Sequence, residues 1–204
     1  MALSKIDIEN MVTGEVNVAN GGTGLSSGTS GQFLKFTGST TLASAADNAG
    51  KVGQIVQAYQ RGEQTTTSTT FQDFTQLTGT ITPTATNSKV LVQIEITSHI
   101  AAGYVQFIDF KRNISGGATT QIGTSTDGSA TQGFVYNKSL SGDLAYRRSS
   151  ITWLDSPSTT SEITYYPVMK SETNGQTAYI FNNGNLSTIQ LMEILAWFIL
   201  KTGK

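Results

Sequence analysis

The chain has 204 residues, a net charge of −1, 37% hydrophobic but only 13% charged residues, a single His and no Cys. That balance excludes a basic nucleic-acid-binding surface, and without Cys it excludes thiolate metal centres, thiol nucleophiles and disulfide staples. Its polarity comes instead from uncharged Ser and Thr, about a quarter of the sequence.

The first ten residues carry Lys5, Asp7 and Glu9 where a signal peptide places an apolar core. The longest apolar stretch, Ile189–Leu200, is broken by Gln190 and Glu193 and falls short of the roughly 20 residues of a membrane helix. These features predict a chain made in the cytoplasm, without an export signal and without membrane insertion.

Composition divides the chain into residues 1–52 and 53–204. Residues 1–50 hold eight of the 21 Gly, and Asn20–Gly31 reads NGGTGLSSGTSG. The Gly spacings there are irregular, so the three-residue period of collagen is absent. Such a segment buries too little apolar area to offset its backbone entropy. It reads either as a flexible linker or as an extended attachment shaft, with Val12, Val16, Val18, Leu25 and Leu34 turned toward a shared axis. Phe33-Leu34-Lys35-Phe36 is its one strongly apolar patch, and Ala43–Ala49 is compatible with a single helical turn.

From Gly53 onward the pattern is β. Gln54–Tyr59, Thr67–Phe74 and Thr78–Thr82 are rich in β-branched and aromatic residues. Ser88–Thr97 alternates most clearly, with Val90, Val92, Ile94 and Ile96 on one face and Gln93, Glu95 and Thr97 on the other. Gly103–Lys111, Gln132–Asn137, Ser149–Leu154, Ile163–Lys170, Thr177–Phe181 and Ser187–Phe198 complete the set. Turn-forming clusters separate them, among them Pro83–Ser88, Asn113–Ala118 and Asp155–Thr160. Many short strands without an amphipathic helix predict an antiparallel sandwich or barrel. Pro167 marks Ile163–Lys170 as an edge strand or a bulge.

Catalytic chemistry finds little footing. Gly22-Thr23-Gly24-Leu25 lacks the Lys of a phosphate-binding loop and the flanking strand and helix of a dinucleotide fingerprint. His99 ends the best strand, with Asp109 or Glu95 as conceivable carboxylate partners, but a lone His there reads as structural or as an interface residue. Asp109, Asp127, Asp143, Asp155, Glu162 and Glu172 are the carboxylates available for a glycosidase pair. Most sit in turns, where Asp caps its own backbone. Ser125–Thr131 offers one carboxylate to a calcium ion that wants several. The expectation is therefore no enzyme, no cofactor and no metal. Recognition material is plentiful: Tyr136, Asn137, Tyr146 and Arg147, set among Gly and Ser, are the candidate ligand-binding residues, suited to stacking on and hydrogen bonding with a glycan. The structural alternative is that Tyr136 and Tyr146 pack against each other across a hairpin.

Two stretches carry a family resemblance. Val18-Ala19-Asn20-Gly21-Gly22-Thr23-Gly24-Leu25, followed by Gly31-Gln32-Phe33-Leu34, resembles the glycine-rich segment of tailed-bacteriophage fibre proteins. Ser149–Ser161, Ile163–Met169 and Ser187–Ile194 resemble the C-terminal β domain of such fibres, notably those of cyanophages. The resemblance implies a jelly-roll-like knob, a homotrimer, and no enzymatic activity. It implies a virion fibre or decoration module without fixing its position; the adhesive-looking loops favour a short tail fibre that adheres to the host surface through glycan. The alternative is a capsid-attached head fibre or decoration protein. In either position residues 1–50 would dock to other virion proteins. The chain departs from the family by continuing past Glu193 into Leu195-Ala196-Trp197-Phe198-Ile199-Leu200.

Overall fold

The computed structural model of the chain describes residues 30, 32–36, 41–45, 51–123, 125–127, 130–140, 146–181 and 184–195. Backbone packing divides the chain into two units, residues 1–49 and 50–204. In the first, β1 (Phe33–Phe36) pairs antiparallel with β2 (Leu42–Ala45). Ala43–Ala45 are therefore extended rather than part of a helical turn, since each pairs with β1; residues 46–49 lie outside the described residues. Of the expected Gly-rich shaft, residues 1–52, residues 1–29 lie outside them as well.

The second unit is an antiparallel β-sandwich. One sheet runs β3 (Val52–Gln60), β16 (Ser187–Ile194), β7 (Lys89–Ile100), β13 (Arg147–Asp155). Short β4 (Gln64–Thr66) continues the β3 column, and β15 (Ala178–Ile180) continues the β16 column. In the other sheet, β8 (Val105–Ile114) and β14 (Ile163–Ser171) lie at the centre. β12 (Val135–Lys138) and β9 (Thr119–Gln121) flank β8, while β6 (Gly79–Ile81) and β5 (Gln72–Asp73) flank β14. A further pair, β10 (Ser125–Asp127) with β11 (Ala130–Gln132), forms a separate ribbon.

Chain order gives the topology. The path goes from β3 to β6, β7, β8, β12, β13, β14 and β16, crossing between sheets at every step except β8 to β12. Eight principal strands ordered β3-β16-β7-β13 over β6-β14-β8-β12 make a jelly roll, two interleaved Greek keys.

Alternation decides which side chains enter the core. β7 buries Val90, Val92, Ile94 and Ile96, and turns Leu91, Gln93 and Glu95 outward. Facing it, β8 and β14 bury Ile108, Phe110, Ile163, Tyr165 and Met169, and the two layers close on a single apolar core with Ile151, Ile180, Ile189 and Leu191. At about 0.8 kcal/mol per buried methylene, this core is the main stabilising term.

Two expectations fail for stated reasons. Thr67–Phe74 is not one strand: Ser68, Thr70 and Gln72 hydrogen-bond among themselves in a turn that separates β4 from β5. Pro167 lies neither at an edge nor at a bulge. It occupies a central strand whose register with β8 runs unbroken. β6 pairs with residues 163–165 and β5 with residues 168 and 169, leaving a break beside Pro167. The Pro167 carbonyl accepts from Phe74 N–H at 3.0 Å on that side. Since N and O of one strand residue point the same way, the donor that proline lacks also faces Phe74, so the proline forgoes a single return bond at the end of β5, where pairing on that side stops, and leaves the β8 ladder whole.

Candidate recognition surface

Cross-strand register lines side chains up in rows on the outer face of the β3–β16–β7–β13 sheet. At one end Tyr179 on β15 pairs with His99 on β7 and with Thr65 on β4, and Tyr146 immediately precedes β13. The His99 and Tyr179 rings stack with centroids 3.9 Å apart, and Tyr146 tilts against His99 at 5.0 Å. His99 is buried by this packing while Tyr146 keeps 51% of its surface exposed. Burial holds the imidazole below its usual pKa, and the nearby Glu63 carboxylate opposes that shift. A neutral aromatic platform with a wet tyrosine rim suits stacking against the apolar face of a sugar ring.

The four residues singled out from the sequence occupy one edge of the sandwich, where β12 and β13 lie, but take different roles. Asn137 is buried and ties the sheets together, donating to Ser98 Oγ at 2.9 Å and Ser149 Oγ at 3.4 Å. Arg147 is exposed and donates to the Lys138 carbonyl at 3.2 Å. Tyr136 is 57% exposed and meets Phe107 edge-on at 5.6 Å, on the outer face of the other sheet. Tyr136 and Tyr146 thus each have a ring partner of their own. Next to Tyr136, the Lys170 ammonium lies 4.9 Å from the Phe107 ring and 5.1 Å from Phe71, and burial lowers its pKa. Tyr179 and Phe107 escaped the sequence reading because each stands alone in its strand pattern; only register reveals their neighbours.

Asp109, Asp155 and Glu95 hold structural contacts. Asp109 is buried and accepts from Gln121 Nε2 at 2.8 Å, Phe110 N–H at 2.7 Å and Gly123 N–H at 3.0 Å. Burial outweighs those bonds and raises its pKa. Asp155 accepts from Arg112 Nη1 through both oxygens at 2.8 Å and from the Tyr165 hydroxyl at 2.7 Å, joining β13 of one sheet to β8 and β14 of the other. Burial, together with the Asp155 charge, pushes the Tyr165 hydroxyl well above its ordinary value. Glu95, the other carboxylate considered for His99, is paired with Arg148. Asp143 and the Asp127 side chain lie outside the described residues. No group of three or more His, Cys, Asp or Glu is placed to hold a metal among the described residues.

No protein-family model matches this chain, and no curated protein matches it in sequence. Among solved structures it is similar to that of the infectious bursal disease virus Gx strain, at 10% identity and a TM-score of 0.39, covering 81% of this chain and 37% of that one. It is also similar to a subviral particle of that virus, at 9% identity and a TM-score of 0.36, covering 79% and 42%. The chain spans about two fifths of the length of these relatives. The jelly-roll assignment rests on the strand order itself.

Proposed function

We propose that this chain is a non-enzymatic virion structural protein, a short trimeric phage fibre whose β knob adheres to glycan on the host surface from the tail. The observation that carries the adhesive part is the row of Tyr146, His99 and Tyr179, exposed at its Tyr146 rim. Recognition is by stacking and hydrogen bonding, and threefold display multiplies weak contacts into avidity. The sequence resemblance to phage fibres supplies the virion context. An anchoring role for residues 1–50 draws support from the β1–β2 hairpin, which leaves Phe33, Leu34 and Phe36 exposed. A two-stranded ribbon is marginal by itself, so those side chains favour docking to another virion protein.

Two measurements test this. Gold-labelled antibody against the chain should decorate the tail of intact virions; label on the capsid faces would move the assignment to a head fibre, and bare virions would end both. Purified protein should be retained by host-surface polysaccharide, and Tyr146→Ala should weaken retention about tenfold, matching the ~1.4 kcal/mol scale of one aromatic contact. Equal retention of the variant would remove the aromatic row from the proposal.

A further inference from the structure

The outer face of the other sheet carries a cation that its own chain leaves unanswered. Register aligns Tyr136 on β12, Phe107 on β8 and Lys170 on β14 in one row, and Phe71, just before β5, closes it beyond Lys170. Phe107 is buried, Lys170 and Phe71 are half-buried, and Tyr136 is the exposed end. The Lys170 ammonium lies over both phenylalanine rings. A ring face steadies the positive charge but is a poor acceptor, so the three N–H donors find no strong partner there. Among the described residues no carboxylate comes within ion-pair distance of Lys170. The acids of this face are engaged elsewhere: Asp73 holds Lys111 at 2.6 Å and the Tyr166 hydroxyl at 3.3 Å, and Asp109 is buried beneath its three donors. Glu172, two residues on, acts on Lys170 only as a charge through space.

We infer that this row binds a carboxylate-bearing sugar, a hexuronic acid in class, with the carboxylate on the Lys170 ammonium and an apolar ring face on Tyr136. Charge chooses the sign of the ligand. Lys138 is exposed two residues after Tyr136 on the same face of β12, so two cations stand here against Glu172 as the one acid not already engaged among those named. Burial disfavours the ammonium and holds its pKa below the ordinary value. An anion in contact opposes that shift, and in this half-desolvated setting the pairing is stronger than it would be in open water. Geometry chooses a sugar. Lys170 and Tyr136 stand two strands apart, about 10 Å between backbones, with the Phe107 ring between them. A ligand that uses both must carry its charge beside an apolar surface, as a sugar acid does with a carboxylate pendant on a ring whose C–H face is apolar. A small inorganic anion would leave Tyr136 idle, and a neutral sugar would leave Lys170 unanswered. The compact, strongly hydrated ammonium suits a carboxylate without demanding a planar fork. The inference rests on the adhesive reading only in taking the ligand to be a sugar; the site lies on the other sheet from the His99 row.

Magnetic-resonance titration of the purified full-length chain tests this with glucuronate, galacturonate, the methyl ester of glucuronate, and glucose. The two acids should move the Lys170 side-chain signals and the Tyr136 ring signals together. At least one acid should bind about tenfold tighter than the ester or glucose, the scale of one hydrogen bond between charged groups. Lys170→Met keeps the aliphatic stem beside the two rings, so it should melt like the parent while its affinity for the acids falls to that for the ester. Tyr136→Ala should weaken acid and ester alike, by about fivefold. Tyr146→Ala, on the His99 row, should leave all these affinities unchanged, so the two sites can fail separately. Acids no tighter than the ester in the parent chain, a Lys170→Met variant that keeps the preference, or its loss in Tyr146→Ala would each overturn the inference.

Discussion

Removing the Asp155 carboxylate should unlock the two sheets from each other. Among the described residues Asp155 on β13 is the acid that accepts from the Arg112 Nη1 and the Tyr165 hydroxyl, which reach it from the opposite sheet at 2.8 and 2.7 Å. All three groups are largely buried, with side-chain exposure of 16% for Arg112 and 7% for Asp155. Asp155→Ala leaves a guanidinium in the interior without its counter-charge and a phenol without its acceptor. Breaking a buried pair from one side costs about 3–5 kcal/mol. For a domain of this size each kcal/mol moves Tm by about 2–4 °C, so a fall of roughly 6–20 °C is expected by calorimetry. Replacing the whole cluster should behave differently, because the desolvation of both charges disappears with their attraction. Arg112→Met with Asp155→Leu and Tyr165→Phe should return to within about 2 kcal/mol of the parent, or exceed it. Loss of less than about 1 kcal/mol in Asp155→Ala, or a triple variant no better than the single, would refute the argument that uncompensated burial sets the cost.

Further expectations concern acid stability, the sheet junction and the central proline. Glu193 is buried and accepts from Gln54 Nε2 at 2.9 Å and from the Thr84 N–H and hydroxyl at 2.7 and 2.8 Å; burial works to raise its pKa, but the hydrogen bonds prevail and hold it below the ordinary 4.5. Its contribution is thus complete above about pH 4.5 and is lost as pH falls through the lower folded value, so Glu193→Gln should flatten the acid limb of a Tm-against-pH curve. Gly53→Ala should destabilise by about 1–3 kcal/mol, because a Cβ there would lie 2.8 Å from Glu193 Oε2 and 3.0 Å from Leu195 Cδ2; urea melts measure it. Asn137→Ala should cost about 1–3 kcal/mol by orphaning buried hydroxyls between the sheets, whereas Tyr146→Ala should change stability by less than about 1 kcal/mol; the reverse ranking in urea melts would exchange their structural and surface roles. Pro167→Ala should stay within about 1 kcal/mol of the parent, since the restored N–H meets only Phe74 at the end of β5 while the freer unfolded chain opposes any gain; urea melts check it.

Local pattern was enough to find the strands whose one face is buried. In Ser88–Thr97 the alternation of Val and Ile with Lys89, Gln93, Glu95 and Thr97, broken only by Leu91, reports the pleat directly, and β7 carries that alternation in the folded chain. The same logic located β8, β13, β14 and β16 to within a few residues. Thr67–Phe74 misled because β-branched residues in a hydroxyl-rich turn satisfy propensity without having a partner strand. Pro167 misled because the penalty for proline depends on which neighbour its missing donor would meet, and that neighbour is set by strands 85 or more residues away in sequence. Candidate recognition residues fared unevenly for a related reason. Composition marked Tyr136, Asn137, Tyr146 and Arg147 as one group, but alternation and sheet membership sent Asn137 inward and placed Tyr136 on the outer face of the other sheet, away from the sheet that carries Tyr146 and His99.

From its order of residues alone the chain is all-β, poor in charge and without thiol chemistry, because period-two alternation and composition are local properties that no long-range contact can alter. Tertiary pairing decided the rest. It set the jelly-roll strand order, the buried Arg112–Asp155–Tyr165 lock, and the stacking of His99 on Tyr179. Each of these depends on register between strands far apart in the sequence, and a slip of one residue would exchange every inward side chain for an outward one.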